Sequence, residues 1–124
     1  MPPRRRTDPG AGRAALLSWH ADPEGTDRAT RAAAVRHTLE ELAARAPGNS
    51  VEVRVPPFGV VQCVEGPRHT RGTPPNVVET DGETWLRLAT GDLVWAQALG
   101  DGVLRVSGTR ADLSALLPLT GGTA

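Results

Sequence analysis

Residues 50–55, Ser-Val-Glu-Val-Arg-Val, constrain this chain more than any other stretch. Val51, Val53 and Val55 point one way, and Glu52 and Arg54 the other, which is the period of a strand with one covered face. Such a strand needs an apolar layer to lie against. The preceding stretch, 26–46, supplies one: Ala32, Val35, Leu39, Leu42 and Ala46 recur at steps of three and four and share one helix face. Arg31, Glu40, Glu41 and Arg45 fall largely on the other faces, and Pro47-Gly48-Asn49 stops the helix. An amphipathic helix feeding a half-buried strand predicts an α+β domain.

The rest of the chain extends the same pattern. Residues 1–10, with three prolines and three arginines, read as a loose basic arm. A short helix is expected over 11–20, carrying Leu16, Leu17 and Trp19. A second strand is expected near 58–65 and a third at Val77-Val78-Glu79, separated by a long Pro-rich loop over 66–75. Thr80-Asp81-Gly82-Glu83 matches a capping box for a helix bearing Trp85, Leu86 and Leu88. Gly91 ends that helix, and Asp92 is placed to cap another over 93–99. A strand follows at 103–107. A last helix, capped by Thr109 and stopped by Pro118, is expected to carry Leu113, Leu116 and Leu117. The expected organisation is an arm over 1–10, one domain over 11–119 and a loose tail over 120–124. A chain of 124 residues fits one such domain.

Composition narrows the function. Fourteen basic residues balance fourteen acidic ones, so no broad field draws in nucleic acid or an anionic membrane. All fourteen basic residues are Arg, which with the abundant Ala, Gly and Pro reads as the coding bias of a GC-rich genome. The single cysteine, Cys63, makes no internal disulfide, which fits a reducing cytoplasm. Basic residues open the chain with no apolar stretch behind them, so no secretory signal is expected, and no run reaches the length of a transmembrane span. Aromatic residues are few, and the expected core rests on Leu, Val and Ala.

No catalytic constellation emerges. Cys63 with His69 could form a nucleophile and base, but Cys63 lies in a Val-rich strand, where burial raises a thiol's pKa. His20, His37 and His69 are not spaced to bind a metal, and no nucleotide loop or nucleophile elbow appears. No metal and no cofactor are therefore expected. The strongest polar cluster is Arg68-His69-Thr70-Arg71 on the 66–75 loop. Arg68, His69 and Arg71 could grip a carboxylate or phosphate. They could equally be solvated and paired with Glu65 or Glu79.

Two stretches carry a family resemblance. From Trp85, the chain reads W-L-R-L-A-T-G-D-L-V-W-A-Q-A-L-G-D-G-V-L-R-V-S-G-T-R-A-D-L-S-A-L-L-P-L. Residues 54–79 read R-V-P-P-F-G-V-V-Q-C-V-E-G-P-R-H-T-R-G-T-P-P-N-V-V-E. Together they resemble the sterol carrier protein type two-like family. They are closest to its short actinobacterial bacterial sterol carrier subgroup and to the C-terminal domain of mycothiol-dependent maleylpyruvate isomerases. The resemblance implies a mixed, mostly antiparallel sheet of about five strands, with helices packed on one face. It also implies an apolar tunnel for a lipid or other apolar or amphipathic small molecule. Residue by residue, the lining it implies is Trp85, Leu86, Trp95, Leu99, Leu113, Leu116 and Leu117. The same residues could simply pack the core, because an apolar helix face reads the same whether it meets a guest or a sheet. The expected function is thus a non-catalytic binding domain. The alternative is a stand-alone partner domain that assists a separate thiol-dependent isomerase or transferase.

Overall fold

The computed structural model describes residues 6–66 and 76–119. Two helices come first, α1 at Pro9–Ala21 and α2 at Arg28–Arg45. Strands β1 (Val51–Val55), β2 (Gly59–Cys63) and β3 (Asn76–Thr80) follow. Helices α3 (Gly82–Thr90) and α4 (Trp95–Gly100) precede the last strand, β4 (Leu104–Ser107). The domain is α+β, as expected. α1 begins at Pro9, inside the stretch expected as a loose arm, and the backbone N–H groups of Arg6 and Thr7 donate to the Glu40 carboxylate at 3.1 and 3.0 Å.

Aspartates start three of the helices. The carboxylates of Asp8, Asp27 and Asp81 accept the backbone N–H of Ala11, Thr30 and Thr84, satisfying donors that have no partner within their helices. The α3 cap is therefore Asp81, not Thr80. Thr80 is the last residue of β3 and faces the covered side of the sheet, where its hydroxyl donates to Val103 O at 2.6 Å. Glu83 does not close a capping box either; its carboxylate accepts the Trp19 indole N–H at 3.1 Å. Asp92 caps nothing. α4 starts at Trp95, after Val94, and Asp92 instead pairs with His20 at 3.1 Å.

The sheet has four strands among the described residues, in the order β2-β1-β3-β4. β1 pairs antiparallel with β2 and parallel with β3, and β3 pairs antiparallel with β4, so the sheet is mixed. Register brings Val53 beside both Val61 and Val78, and Val78 beside Val106. That row lies on the covered face. There Val51, Val53, Val55, Cys63, Val78 and Leu104 join Val35, Leu39 and Leu42 of α2 and Trp85 and Leu86 of α3 in one apolar core. The opposite face carries Glu52, Arg54, Glu79 and Arg105, with Arg54 paired to Glu52 and both arginines within 3.9 Å of Glu79.

α1 lies on α2 at a close approach that only glycine permits. A Cβ on Gly12 would stand 2.5 Å from the His37 ring.

The last expected helix does not form. Among residues 109–119 only Ser114–Leu116 makes a single 3₁₀ turn. Asp112 takes the Ser114 N–H at 2.9 Å, and Pro118 holds Leu117 extended, at φ −111° and ψ 147°. Leu113 and Leu119 are both buried, so the segment inserts one leucine at each end without a helical face between them.

Candidate functional site

The site forms where α3 stops. Gly91 adopts a left-handed conformation, φ 88°, that ends the helix and turns the chain back. The Leu93 N–H then donates to Arg87 O at 3.2 Å, drawing Leu93 and Val94 across the end of α3 towards α4. The C-terminal segment returns to the same place. Its Leu119 N–H donates to Ala89 O at 2.8 Å, and Pro118 lies 3.4 Å from where a Gly91 Cβ would stand.

Between these pieces lies a cleft of about 550 Å³. Leu88, Leu93 and Trp95 are its buried lining. Val94 and Ala96 border it from α4 and its approach, and Leu117 and Pro118 from the C-terminal segment. Thr90, Gly91 and Ser114 complete the lining, so no charged side chain belongs to it. The Thr90 hydroxyl is already committed to Leu86 O at 2.8 Å. An apolar concavity with few polar groups is the usual form of a small-molecule site, and its volume falls within the range of about 300–1,000 Å³ seen for such sites.

A larger groove, about 620 Å³, runs between α2 and β2, but Arg6, Arg36, Glu40 and Gln62 line it along with Leu39 and Phe58. The bonds from the Arg6 and Thr7 amides already engage the Glu40 carboxylate. The apolar cleft is the better match to an apolar guest.

The residues singled out from sequence fall into four groups. Trp95 and Leu117 line the cleft. Trp85, Leu86 and Leu113 are fully buried in the main core, and Leu116 packs partly buried against it. Leu99 is 42% exposed at the far end of α4 and does not line the cleft. Arg68, His69 and Arg71 lie outside the described residues. Leu88, Leu93, Val94 and Pro118 also line the cleft but were not among the residues singled out. The available signal was Gly91: apolar residues on both sides of a left-handed helix stop converge on one place.

Cys63 is fully buried, and desolvation pushes its thiol up to about 11. Among the described residues, no group of three or more His, Cys, Asp or Glu side chains is placed to hold a metal ion. No described helix is long and apolar enough to cross a membrane.

No curated protein matches the chain. A family model described as bacterial SCP ortholog matches residues 27–119. The match starts at the Asp27 cap of α2 and ends at Leu119, so it takes in the sheet, α3, α4 and the whole cleft and leaves α1 outside. The chain belongs to the bacterial sterol carrier protein-like family.

Proposed function

We propose that this domain binds an apolar or amphipathic small molecule in the cleft between α3, α4 and the C-terminal segment, and holds it without transforming it. The observation that carries the reading is the cleft itself: about 550 Å³, lined by Leu88, Leu93, Trp95 and Leu117, with no charged lining residue. Membership of the sterol carrier protein-like family supports the same reading. The buried thiol of Cys63 supports a carrier over an enzyme, because a thiol held near 11 is a poor nucleophile at neutral pH.

Titration with Nile red, a neutral apolar fluorophore, tests the proposal directly. Saturable one-site binding that is lost in Leu117→Asp is the expected result. Native mass spectrometry of protein taken from its own host should show an added mass that denaturation releases. A clean apo mass together with no saturable dye binding overturns the proposal.

A further inference from the structure

We infer that the cleft selects uncharged single-chain amphiphiles over carboxylates of the same length. The inference rests on the binding reading above and adds the class of head group. None of the lining residues is charged, so the cleft offers an anion no ionic partner. The charges at its border are largely acidic. Asp92 sits between Gly91 and Leu93, which both line the cleft. Asp112 accepts the N–H of Ser114, another lining residue, at 2.9 Å. His20 touches Asp92 at 3.1 Å and occupies that carboxylate from outside the cleft. Arg87 precedes Leu88 on α3 and is exposed, but it does not line the cleft.

The physical argument has two parts. A carboxylate drawn into the cleft loses water and gains no charge-assisted bond, whereas a hydroxyl loses far less on desolvation. A carboxylate left at the mouth meets two like charges, which repel it weakly through solvent and less so with added salt. Both parts favour the alcohol.

Trp95 provides the readout, because it lines the cleft while Trp19 and Trp85 are fully buried in the core. A bromine at the end of an alkyl chain quenches a tryptophan that it touches. The probes are ω-bromodecanol, ω-bromodecanoate and ω-bromodecyl trimethylammonium, titrated against the full chain at neutral pH and low salt. The alcohol should quench saturably and bind about tenfold more tightly than the carboxylate, a gap of one decade in Kd. The cation should fall between them. Trp95→Phe should abolish the quenching, and Asp92→Asn combined with Asp112→Asn should narrow the gap between alcohol and carboxylate.

Equal or tighter binding of the carboxylate overturns the selectivity while leaving the binding reading in place. Quenching that survives Trp95→Phe puts the guest elsewhere and overturns both. No saturable quenching by any of the three probes overturns both as well.

Discussion

The indole N–H of Trp85 donates to the Thr38 hydroxyl at 2.8 Å, and both side chains are buried. That hydroxyl in turn reaches Ala34 O and Val35 O at 2.9 Å each, one turn back along α2. The contact joins α3 to α2 across the core and gives the polar atom of a large apolar side chain a partner inside the protein. Trp85 therefore works as a fastener between helices. A tryptophan with its N–H committed in this way is fixed in orientation.

Thr38→Val keeps the shape of the side chain and removes the acceptor. The Trp85 N–H is then buried without a partner, a loss of about 1–3 kcal/mol. Thr38→Ser keeps the hydroxyl and should recover most of the difference. Urea unfolding followed by tryptophan fluorescence measures both variants. Equal midpoints for Thr38→Val and the parent would show that the bond adds nothing to stability.

The seat of α1 on α2 gives a second expectation. A Cβ on Gly12 would stand 2.5 Å from His37 Cγ and Nδ1 and 2.6 Å from its Cβ, closer than real side-chain contacts allow. Gly12→Val must push α1 away from α2 and should cost about 1–3 kcal/mol, the usual range for overpacking. The shift should also disturb the Trp19–Glu83 bond, 3.1 Å long, which ties α1 to α3. Hydrogen exchange should show faster exchange confined to α1. Because the family match begins at Asp27, the sheet and the cleft should stay protected.

Cys63 gives a pH dependence whose sign can be worked out. Its thiol moves from the ordinary 9.0 to about 11 because burial disfavours the thiolate. The unfolded chain therefore releases this proton before the folded one does. The thiol's contribution to stability is complete below pH 9 and is lost as pH rises towards 11. Cys63→Ala should lack that part of the alkaline loss, although the smaller side chain lowers stability at every pH. Iodoacetamide should alkylate native Cys63 far more slowly than a free thiol at neutral pH. Rapid alkylation of the folded protein would contradict the burial.

How much of this was legible in the sequence depended on whether a signal was local. The Val51-Val53-Val55 alternation and the α2 stripe of Val35, Leu39 and Leu42 gave strand and helix because each repeats over its own segment. Gly91 gave the end of α3 because a left-handed stop leaves a residue-specific mark. The caps were harder. Thr80 and Asp92 have the chemistry of caps, but Thr80 is held by Val103 O and Asp92 by His20, partners 23 and 72 residues away in sequence. The final helix failed for a related reason. Leu113, Leu116 and Leu117 have helical spacing, yet Leu113 and Leu119 are the residues that insert, and the Leu119 bond to Ala89 draws the segment out straight. The cleft is a meeting of three segments, so no single stretch of sequence displays it.

That meeting separates residues that shape the cleft from residues that only support the core, and the two kinds should respond differently to mutation. Leu117 lines the cleft and is only partly buried, so Leu117→Asp can place a carboxylate there without opening the core. Nile red binding should fall by about tenfold or more, since the guest would now lie beside a desolvated charge. The melting temperature should change little, because a substitution at a partly exposed site removes little packing. Leu113 is 1% exposed and does not line the cleft. Leu113→Ala should cost about 2–5 kcal/mol in stability, as truncation of a buried leucine does. At temperatures where it stays folded, it should bind Nile red as the parent does. If Leu113→Ala instead removed binding while Leu117→Asp kept it, the guest would lie between helices and sheet, among Trp85, Leu86 and Leu113, and the cleft at the end of α3 would be only a surface depression.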